Sequence, residues 1–209
     1  RISSLDPATG LRADCHATGF REFNTVEWVM NFTNTSSENS DTLELVRVAD
    51  YTMETADEGD FKLLYAEGSY GSRADFRPIL TELGAGDSIR MAPENGRSSD
   101  RTAFPFFNLE SPDKKGVVVG IGWTGGWYAT LSRSGKAATL NSGMEKMKLY
   151  LRPGESIRTP RICMLFWQGN DPMDGNNRFR RFMLAHHTRK IDGKFAEYPL
   201  SAGFDWGDP

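Results

Sequence analysis

Residues 96–131, GRSSDRTAFPFFNLESPDKKGVVVGIGWTGGWYATL, decide the fold of this chain. A polar, arginine-bearing turn leads into a short aromatic strand, 103–110. Pro105 within it predicts an edge position or an irregular start, because proline withholds a ladder hydrogen bond. After a turn comes a β-branched run, 117–123, and then Trp123 and Trp127, spaced by glycines. Segments 117–123 and 127–133 read as a hairpin around Thr124-Gly125-Gly126, where glycine allows positive φ. Glycine-punctuated aromatic strands of this kind belong to β architecture.

Working outward, strand signals are frequent and short. In TVEWVMNF (25–32), Val26, Trp28 and Met30 alternate with Glu27, Val29 and Asn31, a period of two. Further strands are expected over 11–20, 43–53, 61–67, 88–91, 146–152 and 157–167. The polar cluster TNTSSENSD (33–41) predicts a hairpin tip, and Arg152-Pro153-Gly154-Glu155 a turn. One helix is expected, over 176–187. Its Phe179, Phe182, Met183 and His186 share a face, and Asp174 or Gly175 would cap it. Strand after strand without intervening helices makes the chain all-β, an antiparallel two-sheet sandwich with a C-terminal helix.

The chain has 209 residues, enough for one large β domain. A formal net charge of −3 gives no general attraction to nucleic acid or to anionic membranes. No run approaches the roughly 18 apolar residues of a membrane helix. A chain that opens on Arg1 is expected to have lost its natural start. Cys15 and Cys163 read as two free thiols.

In order along the sequence, TVEWVMNFTN, LELVRVADY, LLYAEGSYGSRADFRP, GRSSDRTAFPFFNLE, GVVVGIGWTGGW, LRPGESIRTPRICMLFWQG and RFRRFMLAHH resemble the N-terminal β-supersandwich domain of glycoside hydrolase family 36, the α-galactosidase family. The resemblance implies a sandwich over 1–172, a linking helix over 173–190, and the start of a catalytic (β/α)8 barrel over 191–209, where PLSAGFDWGDP resembles the entry to the first barrel strand. It also implies that both catalytic aspartates of a retaining mechanism lie in the barrel, so the chain itself holds no catalytic residue. The expected partners are a terminal α-galactoside, bound with the parent enzyme, the barrel, and further copies in an oligomer. No cofactor, nucleic acid or membrane is implied, and a periplasmic or secreted location is favoured. The sequence departs from the family where Asp100-Arg101-Thr102 follows GRSS, and where a Trp-Thr-Gly-Gly-Trp turn replaces a Ser-Gly-Asn type.

Sugar contact needs an aromatic face with polar groups beside it. Trp123 and Trp127, with Asp100 and Arg101, have that character, and the same rings serve equally as packing, since Trp is usually largely buried. In the family a loop of this domain can complete the sugar pocket, which gives Tyr70, Arg73 and Asp75 of SYGSRADFR (69–77) the same candidacy; a solvated turn with local ion pairs is the plainer account. His16, His186 and His187 do not make a metal set, because a strand histidine and two adjacent helix histidines do not converge. The glycines of GIGWTGGW precede no helix that would bind phosphate, and no nucleophile elbow is present. Arg178, Arg180 and Arg181 read as the outer face of the helix. A free-standing carbohydrate-binding module, an aldose-epimerase-like enzyme and a purely structural role are the rival readings. An accessory domain is distinguished by an apolar patch beside the terminal helix.

Overall fold

The computed structural model describes residues 1–69 and 71–196; Tyr70 and the PLSAGFDWGDP segment lie outside them. Among the described residues, fifteen strands and one α-helix follow in the order β1 (Ile2–Leu5), β2 (Leu11–Phe20), β3 (Thr25–Asn34), β4 (Val46–Glu54), β5 (Phe61–Ala66), β6 (Pro78–Leu83), β7 (Ser88–Met91), β8 (Phe106–Glu110), β9 (Lys115–Gly122), β10 (Trp127–Ser134), β11 (Ala137–Met144), β12 (Ser156–Arg158), β13 (Arg161–Gln168), α1 (Pro172–His186), β14 (Lys190–Ile191) and β15 (Lys194–Phe195). The large sheet runs β1-β2-β3-β13-β9-β8-β5-β6, with β12 also on β3; the small sheet runs β4-β11-β10-β7. Every pairing is antiparallel.

The alternation of β13 explains the layering. Ile162 and Met164 point into the main core between the sheets, with Val119, Ile121, Leu63, Phe107, Trp127, Leu131 and Leu140. Cys163, Leu165 and Trp167 point to the other face, where Phe179 and Phe182 of α1 cover them. A strand hydrophobic on both faces is one buried on both faces. Strand β3 follows the period read from its sequence: Val26, Trp28, Met30 and Phe32 pack on the main core, and Glu27 is buried on the opposite phase.

Several local expectations change. The turn at 124–126 is not a hairpin: β9 lies in the large sheet and β10 in the small one, so the chain crosses between layers. The same holds for 33–41, which leads from β3 across to β4. The partner of β10 is β11, a strand that AATLNSGM conceals because its small residues lack the β-branched signature. Strands β1 and β6 were likewise unmarked. Residues 146–152 form no sheet strand; Leu149 makes one isolated bridge to Leu43, and Leu151 O accepts from Ser40 N at 2.9 Å. The strand expected over 157–167 breaks at Thr159-Pro160, where Thr159 Oγ1 accepts from Met30 N at 3.0 Å. Pro105 marks an irregular start rather than an edge, since β8 sits between β5 and β9.

The helix begins earlier than its apolar period suggests. Asp171 is the N-cap, its carboxylate accepting from Met173 N at 2.8 Å, and Pro172 occupies the first turn. After the helix, Asp192 and Gly193 both take positive φ and turn β14 into β15. Both cysteines are free. Strand β3 lies between β2 and β13, so two strand spacings of about 4.8 Å each separate the thiol-bearing strands, too far to bridge.

Candidate functional site

Tyr70 lies outside the described residues; the others singled out for sugar contact lie at one end of the sandwich, where β5 and β9 end and β8 and β10 begin. Asp100 organises it. Its carboxylate is 4% exposed and accepts from the backbone N–H groups of Glu94 (2.8 Å), Asn95 (3.2 Å) and Thr102 (2.9 Å), and from the Thr102 hydroxyl. Burial pushes its pKa up, but these hydrogen bonds outweigh that and hold it at about 2. Asp100 O accepts from Gly68 N at 2.6 Å, fixing the base of the 69–77 loop. A Cβ on Gly68 would sit 2.2 Å from Ser99 Oγ and 2.4 Å from Asp100 O, so the approach requires glycine.

Trp127 is completely buried and donates from Nε1 to Ser98 O at 2.7 Å. Its ring is core packing in this structure, with no face presented outward. Trp123, on the other side of the crossover, is half-buried, and the Arg158 guanidinium lies 5.4 Å from its ring centre. Within the loop, Asp75 accepts from Ser69 Oγ (2.6 Å), Gly71 N (2.9 Å) and Ser72 N (3.1 Å), which makes it the residue that closes the turn. Arg73 and Arg101 are exposed.

A larger feature, not anticipated residue by residue, lies between α1 and the large sheet. Phe76, Phe104, Phe106 and Phe179 follow one another with ring centres 5.2, 5.1 and 5.6 Å apart. They wall an apolar groove of about 610 Å³ that runs from the 69–77 loop along α1. Phe76 adopts φ +56°, a strained conformation for a bulky side chain, and is 50% exposed. On the helix side, Met173 and Leu184 are exposed at 47% and 51%. The signal for this groove was the aromatic run 104–107, read at first only as strand.

Helix α1 is docked at both ends. At its start, Trp167 lies between Gly116 of β9 and Gly175 of the helix; a Cβ on either would come within 2.2 and 2.6 Å of the indole. The indole Nε1 donates to Asn108 Oδ1 at 2.8 Å, and Asn108 Nδ2 donates to Pro172 O at 3.0 Å. At its end, Phe182 meets Phe20 edge-on at 5.0 Å, His186 Nε2 lies 3.1 Å from Glu22, and His187 Nε2 lies 2.6 Å from Glu27. Glu27 also contacts Arg161 at 3.3 Å, and burial next to this carboxylate pushes the Cys163 thiol pKa far up. The sequence concealed the buried Glu27 because a polar residue in the off-phase of a strand reads as solvent-facing. Among the described residues, no cluster of His, Cys, Asp and Glu could hold a metal ion.

No protein-family model matches the sequence, and no curated protein matches it. Solved structures do match, among them α-galactosidases, several of them of glycoside hydrolase family 36. A variant of α-galactosidase AgaA of Geobacillus stearothermophilus in complex with stachyose superposes with a TM-score of 0.71 at 21% identity, over 90% of this chain and 26% of that one. The α-galactosidase of Lactobacillus brevis gives a TM-score of 0.72 at 17% identity, again over 90% and 26%. The galactosidase domain of the α-galactosidase–sucrose kinase AgaSK gives 0.66 at 16% identity, over 80% and 23%. The chain therefore has a fold found within these enzymes, and spans about a quarter of their length.

Proposed function

We propose that this chain is the N-terminal accessory domain of an α-galactosidase-like glycoside hydrolase, and that the catalytic carboxylates belong to a (β/α)8 barrel beyond residues 1–190. The observation that carries this reading is the bare aromatic groove along α1. An apolar groove rimmed by exposed Met173, Leu184 and Phe76 is what a domain shows where a second domain belongs. The matching of this fold to about a quarter of each α-galactosidase supports a catalytic barrel as that second domain. The sandwich braces the barrel and contributes to oligomer formation. The 69–77 loop, with Tyr70, Arg73 and Asp75, reaches toward the sugar together with Arg101 and the half-exposed Trp123; Asp100 shapes that loop from beneath, and Trp127 anchors the crossover. The substrate of the intact enzyme is a terminal α-galactoside, hydrolysed with retention.

The test compares p-nitrophenyl α-galactoside hydrolysis by residues 1–209 with hydrolysis by the polypeptide continued past Pro209. Activity in the longer protein alone is expected. Activity in residues 1–209 overturns the reading, and inactivity of both overturns the substrate.

A further inference from the structure

A second cavity lies at the opposite end of β9 from Trp123, about eight strand residues or roughly 25 Å away. It has a volume of about 450 Å³, within the size range of small-ligand sites. Strand β3 stops pairing with β13 at Thr25, whereas β9 continues to pair with it as far as Gln168. Phe166 N still donates to Asn24 O at 2.9 Å, so the edge of β13 is uncovered at Trp167 and Gln168, and the cavity follows it from the inter-sheet layer to the helix side. Phe166 and Tyr51 of β4 form its apolar wall, edge to face at 5.8 Å. Around them stand the side chains of Asn24, Glu54, Gln168 and Arg178.

These polar groups share a property. Among the described residues, the Tyr51 hydroxyl and the side chains of Asn24, Glu54, Gln168 and Arg178 have no hydrogen-bond or ion-pair partner, although Tyr51 and Arg178 are half-buried. The Tyr51 hydroxyl and the Arg178 guanidinium are open to solvent and therefore available to a ligand. Charge in the cavity balances: Glu54 offsets Arg178, and Lys115 is held by Asp113 at 2.6 Å. The site therefore selects neither anion nor cation. It offers ring faces for an apolar C–H surface, two amides and a phenol that both donate and accept, one carboxylate acceptor and one guanidinium donor. A neutral ligand with an apolar face and a rim of hydroxyls, each donor and acceptor at once, matches that set.

We propose that this cavity is a carbohydrate-binding site for a mono- or disaccharide unit, separate from any site at the Trp123 end. It does not depend on a catalytic barrel, so it can be tested on residues 1–209 without reference to hydrolysis. Isothermal titration calorimetry with melibiose, maltose and cellobiose reads it directly. At least one is expected to bind saturably. Gln168→Ala and Glu54→Ala, both at exposed positions, are each expected to weaken it by about tenfold, and Tyr51→Phe by a similar factor. Leu80→Ala, at an exposed position on the terminal strand β6, is expected to leave the affinity unchanged. Absence of saturable binding by all three sugars overturns the proposal, as does binding that survives Gln168→Ala and Glu54→Ala combined in a chain whose melting curve is unaltered.

Discussion

Asp100 shows how a residue of sugar-binding type becomes a structural one. Its carboxylate is consumed by backbone N–H groups of its own loop, and those bonds depress its pKa to about 2 from an ordinary 3.8. A carboxyl held below its unfolded pKa adds stability that is fully present above about pH 4, and this contribution is lost as pH falls through about 2. Asp14 behaves alike: the Ser3 hydroxyl first, then Arg1, hold it at about 2. Asp100→Asn replaces one acceptor oxygen with a donor facing other donors. It is expected to cost about 1–3 kcal/mol at neutral pH and to flatten the loss of stability between about pH 4 and pH 2. Urea denaturation at a series of pH values checks both; an unchanged midpoint at neutral pH would mean that the loop is held by something else.

At the scale of elements, α1 is the part that its sequence described well in one respect and poorly in another. The apolar face 179, 182, 183, 186 was legible because period 3.6 survives in any buried helix, and Phe179 and Phe182 are indeed buried. Its start was not, since Asp171-Pro172 precedes the apolar period and reads as loop. The glycine–tryptophan–glycine stack was invisible too, because Gly116, Trp167 and Gly175 meet only through tertiary packing. Strand identities near the core were legible from alternation. Which sheet each strand joins was not: Thr124-Gly125-Gly126 has hairpin composition, yet β10 joins the other sheet, with Trp127 buried between the layers. Gly175→Ala separates propensity from packing. In an open helix it would stabilise by about 1 kcal/mol; here the methyl group would meet the Trp167 indole, and a net loss of about 1–3 kcal/mol is expected. A rise in the urea midpoint would show that the stack yields easily.

For the whole molecule, the open question posed by the architecture is what covers the groove. Met173→Gln with Leu184→Gln replaces two exposed apolar side chains by good helix formers. Residues 1–209 carrying both are expected to keep their stability within about 0.5 kcal/mol while binding less of a hydrophobic dye such as ANS. In the polypeptide continued past Pro209, the same pair is expected to lower the melting temperature if the groove is covered by the proposed barrel. Equal melting temperatures for that longer protein with and without the pair would remove the groove from the inter-domain contact.

The pairing of β3 with β13 also bears on how the chain is made. Strand β3 ends at Asn34 and β13 begins at Arg161, so the 126 residues between them must be translated first, which takes roughly 6 to 25 s at about 5–20 residues per second. Throughout that interval the edge of β3 that pairs with β13 through Thr25–Trp28 has no ladder partner. The birth of this domain on the ribosome therefore contains an interval with an open strand edge, a template for pairing with another chain. That is the period in which a chaperone, or a neighbouring nascent chain, has access to it.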